Sequence, residues 1–219
     1  MTRRVTVVTP TVSARHDKLL AAIHSVRAQT FTDWTHMIVP NGHDSALWSI
    51  LWENIPQLDL LRADHYDVRE LGRPHGTPGH WNRVLAGLLA KTPYMAYLDD
   101  DNVWRPNHLA ALVAALDCHP NAGFAYSQLA YPDGRVLGDG QIAAGSAVNH
   151  IDASVIVHRT ELLENVATWD PHTAGGDSYA MDGILVDHWL QAGVEFVFVP
   201  KITVEYPQVG YWIDGGGAR

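Results

Sequence analysis

The chain has 219 residues, a formal net charge of −9, 47% hydrophobic residues and 18% charged residues. This is enough apolar chain for one large folded domain, and the acidic balance argues against nucleic acid or a polybasic membrane anchor as the main partner, since both need a basic face. The single cysteine, Cys118, excludes an internal disulfide and a thiolate metal cluster. No apolar leader follows Met-Thr-Arg-Arg, no run of about 20 apolar residues occurs, and the sequence contains no Asn-x-Ser/Thr sequon, so the expectation is a cytoplasmic protein without a membrane span.

Val5-Thr6-Val7-Val8 reads as a first strand, broken by Thr9-Pro10-Thr11-Val12. Leu19, Leu20, Ile23 and Val26 recur at helical spacing and predict an amphipathic helix over 15–29. A second strand over 34–39 ends at Pro40-Asn41-Gly42, a helix follows over 44–54, and a short strand is expected at 58–61. Strand–helix alternation of this kind points to a parallel sheet with crossover helices. Residues 71–80 form a Gly-, Pro- and His-rich loop. It lacks the Gly-Lys-Ser/Thr of a Walker loop and the glycine spacing of a dinucleotide fingerprint.

A helix over 80–91 leads into the most informative stretch, Tyr94-Met-Ala-Tyr-Leu-Asp99-Asp100-Asp101-Asn102. An apolar run preceded by a Lys-Thr-Pro turn reads as a buried strand. The three acids therefore leave the sheet at its carboxyl edge, where open α/β sheets bind ligands. Adjacent carboxylates repel one another, and a divalent cation is their natural neutraliser; one or two carboxylates completed by phosphate oxygens suit magnesium or manganese. The competing reading is an acidic turn in which Asp101 or Asn102 caps a helix starting near Arg105-Pro106.

Beyond a helix over 106–117, the pattern becomes richer in strands. Phe124–Tyr126 and Leu129–Tyr131 are strand-like, with a hairpin turn at Asp133-Gly134, and 153–158 is an apolar strand. Helices are expected over 159–167 and 178–192 and strands over 194–199 and 202–206. A soft subdivision near 121 separates the two halves of one domain, 1–121 and 122–206, and the Gly-rich 207–219 is expected to be a loose tail that can act as a flap.

Five segments resemble inverting family 2 glycosyltransferases of the GT-A fold, most nearly the spore-coat polysaccharide type. They are Val5-Thr-Val-Val-Thr-Pro; Ser25-Val-Arg-Ala-Gln-Thr-Phe-Thr-Asp-Trp34 running into His36-Met-Ile-Val-Pro-Asn-Gly; Leu98-Asp99-Asp100-Asp101-Asn102, a DxD-type motif; Ile151-Asp-Ala-Ser-Val-Ile-Val-His-Arg159; and Trp169-Asp170 followed by Asp182-Gly-Ile-Leu185 and Gly193. The resemblance implies a mixed, mostly parallel α/β sheet flanked by helices. The residues 1–121 would bind a nucleoside-diphosphate sugar and 122–206 would bind an acceptor, either a small molecule, a glycan or a peptide. It also implies Mn2+ or Mg2+ as cofactor and transfer to an acceptor hydroxyl.

Carried over residue by residue, the resemblance makes Asp101 the metal ligand, with Asp99 the alternative in a register left open by one residue, and has Asp100 or Asp99 hold the ribose or donor sugar. Thr9, Pro10 and Thr11 would line the base and ribose pocket, with Thr11 standing where the family often has an aromatic residue. Arg15 would reach the phosphates or remain a surface helix residue. Asn41 stands where uridine-using relatives carry Asp, and either reads the base or serves a turn. Arg73 falls where the family puts a basic residue near the diphosphate, and Trp81 and Asn82 lie on the helix facing the nucleotide. The general base implied is Asp182, with Leu185 and Gly193 at the family's spacing and Met181 in place of the usual Glu; Asp177 and Asp187 are rivals, and a helix N-terminal carboxylate is the structural alternative. Two other functions compete, a silent nucleotide-sugar-binding scaffold and a sugar nucleotidyltransferase. The second is disfavoured because Thr-Pro-Thr-Val-Ser replaces a Gly-rich basic loop after the first strand.

Overall fold

The computed structural model describes residues 3–11, 16–40, 47, 49, 51, 80–148, 150–166, 169 and 181–207. The expected strand at 58–61, all of the expected 71–80 loop but His80, and the tail beyond 207 lie outside the described residues; His80 opens a helix rather than ending a loop. Arg15, Asn41, Arg73 and Asp177 also lie outside the described residues. Leu47, Ser49 and Leu51 are helical, as the reading of 44–54 expects.

Strand β1 (Val5–Thr11) is buried along its whole length. It pairs in parallel with β2 (Trp34–Pro40) on one side and β3 (Tyr94–Tyr97) on the other, so Val5 lies beside both Trp34 and Tyr94. Helix α1 (His16–Arg27) makes the crossover from β1 to β2, and α2 (His80–Leu89) precedes β3. Buried on both faces, strands of this kind carry near-continuous apolar and β-branched residues rather than alternation.

The second half is mixed. After β4 (Val103–Trp104) and α3 (His108–Cys118) comes the long β5 (Ala122–Ala130), with β6 (Val136–Leu137) hairpinned onto its end. A single turn of 3-10 helix, Ala153–Val155, leads into β7 (Ile156–Arg159), followed by α4 (Glu161–Asn165), α5 (Met181–Gln191) and β8 (Glu195–Glu205). The sheet runs β2-β1-β3-β7-β5-β8-β4, with β7 antiparallel to both β3 and β5 and β8 parallel to β5. Aromatic rings fill the core of this half: Phe124, Tyr126, Trp189 and Tyr97 are all buried. Among the described residues, no helix is long and apolar enough to cross a membrane.

Several boundaries differ from those the sequence suggests. Strand β5 is continuous through Ser127-Gln128 because the Ser127 hydroxyl bonds Thr203 across the sheet and Gln128 donates to the Gly138 carbonyl. Strand β8 is also continuous. Pro200, which cannot donate to a ladder, sits where the register shifts between Tyr126↔Phe198 and Gln128↔Ile202. Strand β4 has no local signal at all, since its two residues exist only as partners of Glu205 and Val204.

Candidate functional site

The site is built where β1 and β3 leave the sheet side by side. Leu98 N–H donates to the Val8 carbonyl (2.9 Å), extending the parallel pairing one residue past β3. Asn102 N–H then bonds the Asp99 carbonyl (3.1 Å), closing the acids into a tight turn. Four hydrogen bonds fix the turn. The Thr11 hydroxyl donates to Asp100 Oδ2 (2.8 Å), in a buried bond between the ends of β1 and β3. Ser154 Oγ accepts from Asp99 N–H (3.2 Å) and from Asn102 Nδ2 (2.8 Å). The Trp104 indole N–H donates to the Ser154 carbonyl (2.8 Å). The acids do not cap the next helix: α3 starts at His108, its N-cap is Asn107, and that cap makes no side-chain bond.

Opposite this turn stands Asp182, in the first turn of α5. Its Oδ2 accepts from Ala153 N–H (2.8 Å), while Asp152 Oδ1 accepts from Ser154 N–H (2.7 Å), so two consecutive backbone amides each hold one carboxylate. The helix can approach this closely only because residue 183 is glycine; a Cβ there would run into the Val148 backbone. Beneath Asp99, Asp152 and Asp182, all three partly exposed, lies one buried cation. Arg83 of α2 forms a close ion pair with Asp99 and lays its guanidinium 4.9 Å from the Trp169 ring centre. Burial pushes the Asp182 carboxyl up to about 6; Arg83 pulls it down and Asp99 pushes it up. Burial raises Asp152 too, reinforced by the charges of Asp99 and Asp182.

A largely buried acid in the first turn of a helix, facing an acid-lined turn where a strand leaves the sheet, is the arrangement that the family resemblance implies. The model for glycosyl transferase family 2 matches residues 6–168. The chain belongs to glycosyl transferase family 2. It is 32% identical over 107 residues to the succinoglycan biosynthesis protein ExoW of Rhizobium meliloti (strain 1021), a match covering 48% of this chain and 32% of that relative. Among solved structures, Staphylococcus aureus TarS 1-349 superposes with a TM-score of 0.69 at 16% identity, over 93% of this chain and 60% of TarS 1-349. The mannosyltransferase PcManGT from Pyrobaculum calidifontis, in complex with GDP-Man and Mn2+, superposes with a TM-score of 0.66 at 17% identity, over 96% of this chain and 59% of that one. These likenesses establish the GT-A fold. The chain spans about a third of the length of ExoW and under two thirds of these two structures.

The family's remaining expected positions fall in three groups. Thr11 and Asp100 meet each other, and Asn82 Nδ2 donates to the Val39 carbonyl (2.5 Å), pinning α2 to the end of β2. Trp81 lies next to it in α2. Thr9 is turned into the sheet, where its hydroxyl bonds His36 Nε2 (2.9 Å), and Pro10 is buried beside it. This leaves Thr11 as the described β1 residue whose side chain reaches the acid turn. Of the rivals to Asp182, Asp187 is buried and its Oδ1 accepts from Gly145 N–H (2.9 Å) and Ala147 N–H (3.0 Å), a structural duty.

Sequence reading missed Arg83, Asp152 and Ser154 as site residues. Asp152 and Ser154 were visible inside the Ile151-Asp-Ala-Ser run. Nothing local distinguished Arg83 from a solvent-facing helix arginine.

Among the described residues, no group of three or more His, Cys, Asp or Glu side chains is placed to hold a metal ion by itself. A divalent cation bound by one or two carboxylates and completed by phosphate oxygens needs no such group. The donors available are hard carboxylate oxygens, which fit Mg2+ or Mn2+. Asp99 has one oxygen engaged by Arg83 and Asp100 one oxygen engaged by Thr11.

Proposed function

We propose that this chain transfers a sugar from a nucleoside-diphosphate sugar to an acceptor hydroxyl with inversion, using Asp182 as general base. The observation that carries the reading is the position of Asp182: partly exposed, fixed by the Ala153 amide, and facing the acid turn across the buried Arg83. The acceptor oxygen attacks the anomeric carbon, the bond to the diphosphate oxygen breaks, and the acceptor proton passes to the Asp182 carboxylate. A carboxyl raised toward 6 is still largely ionised at neutral pH and holds a transferred proton better than an ordinary aspartate.

Asp101 would hold the Mn2+ or Mg2+, which supplies positive charge for the departing diphosphate. Asp99 is assigned to Arg83 rather than to the metal, because its side chain already has that partner. Asp100, oriented by Thr11, would face the ribose or donor sugar. PcManGT was solved with GDP-Man and Mn2+, and TarS with UDP-GlcNAc, so donors of both bases occur on this fold.

The test is thermal shift against UDP, GDP, CDP, TDP and ADP, each with and without Mn2+, followed by transfer with the sugar donors of the base that binds. A ligand specific to the folded state must raise the melting temperature. One base stabilising in a metal-dependent way, with turnover that gives the inverted anomer, supports the reading, and Asn41→Asp then tests base choice. Metal-dependent binding without turnover from any donor would mean a silent nucleotide-sugar-binding protein. No stabilisation by any nucleotide overturns both.

A further inference from the structure

We infer that Arg83 is a positioning residue for the transfer step: a buried counter-charge that holds Asp99 and offsets Asp182 and Asp152, rather than a ligand of the donor phosphates. The inference rests on the glycosyl-transfer reading above. Arg83 lies in α2, and its side chain is 5% exposed against 28% for Asp99, so the cation lies below the acids and not on the ligand side. Its charge is felt by Asp99 and Asp182 together, with Asp152 and the Tyr97 hydroxyl also near. One guanidinium therefore serves three carboxylates contributed by three separate stretches of chain. Without it, each of those acids would be left facing the others with no described cation between them.

The way Arg83 is held supports a role in the site over a role in stability. Burying an ion pair is weak support for stability, because desolvation offsets most of the attraction. Here the pairing is also incomplete, since Nε is buried without a hydrogen-bond partner among the described residues. Buried donors of this kind are satisfied in the large majority of folded proteins. The guanidinium face is instead laid against Trp169, whose ring meets Tyr97 edge-on at 5.1 Å, and Tyr97 bonds His158 Nε2 at 3.0 Å. This aromatic floor accepts a planar cation and gives a lysine ammonium no equivalent seat. Arg83 is thereby locked in place.

The experiment compares wild type, Arg83→Gln and Arg83→Lys in two measurements: affinity for the nucleoside diphosphate that stabilises wild type most, with Mn2+ present, and kcat for transfer. For Arg83→Gln we expect kcat to fall about a hundredfold while nucleotide affinity changes less than about threefold. Arg83→Lys restores charge without the planar contact and should recover part of the loss, leaving kcat about tenfold below wild type. Retained nucleotide binding doubles as the test of folding. If Arg83→Gln does not fold, Arg83→Lys decides alone: wild-type kcat in that variant overturns the inference. Nucleotide affinity that falls in step with kcat overturns it in favour of a direct phosphate contact. A wild type that turns over beside an equally active Arg83→Gln overturns this inference only, whereas a wild type that binds nucleotide and never turns over fails the glycosyl-transfer reading and this inference with it.

Discussion

The acids at the end of β3 and the acids opposite them reach the site by different means. Asp99, Asp100 and Asp101 follow β3 directly out of the sheet beside the end of β1, and two buried hydroxyls, those of Thr11 and Ser154, trim the result. Asp152 and Asp182 come from 30 residues apart, on a turn and on a helix, and are fixed by the amides of Ser154 and Ala153. The first group inherits its place from sheet geometry, which tolerates change around it. The second depends on a few hydrogen bonds from named donors and one close approach at Gly183, so its place is specified residue by residue.

If the two groups also divide the chemistry, the strand-end acids binding and the opposite acid reacting, substitutions should separate them. The largest effect is expected from Asp182→Asn, which should lower kcat by about 10²–10⁴ and leave the nucleotide-induced thermal shift as in wild type; a loss of nucleotide binding would break the division. Asp101→Ala should do the reverse in binding, removing the Mn2+-dependent part of that shift, with transfer falling by about a hundredfold. Chelation with EDTA should reproduce it in wild type.

The pH profile sharpens the comparison on one side only. Asp182 must be ionised to accept a proton, so transfer should fall as pH drops below about 6, by about tenfold per unit once the group is protonated. Nucleotide binding measured over the same range should not follow that curve.

Two smaller effects address stability. Asp187→Ala leaves the Gly145 and Ala147 amides without their acceptor and should cost about 3 kcal/mol of unfolding free energy, read by denaturant titration, with little change in nucleotide affinity. Thr11→Val removes one bond to a buried carboxylate and should cost about 1–2 kcal/mol. A cost for Thr11→Val larger than for Asp187→Ala would reverse the claim that the strand-end group is the more tolerant.

The same contrast accounts for what the sequence made legible. Apolar runs with local breakers announced β1, β2, β3 and the acid turn, because each is specified by its own residues and their neighbours. Strand β4 was invisible, since Val103-Trp104 becomes a strand only by meeting residues about a hundred positions later. The start of β7 was misplaced because Asp152, rather than an apolar period, decides that 153–155 turns before the strand begins. Motif spacing favoured Asp182 as the base with Asp187 as a rival, and in the structure the two acids differ in which amides they meet. Arg83 carries no local mark of its role, because its significance lies in Trp169 and in acids that arrive from elsewhere in the chain.

Gly183 and Asp187 have a joint consequence for exchanging parts between relatives. The first lets α5 touch the backbone at Val148, and the second grips the amides of Gly145 and Ala147. The turn over 143–148 and the helix bearing Asp182 therefore behave as one exchangeable module. A chimera that replaces that turn while keeping the helix would displace the carboxylate the helix carries. The productive crossover points lie before the turn and after Gln191, so that both pieces travel together.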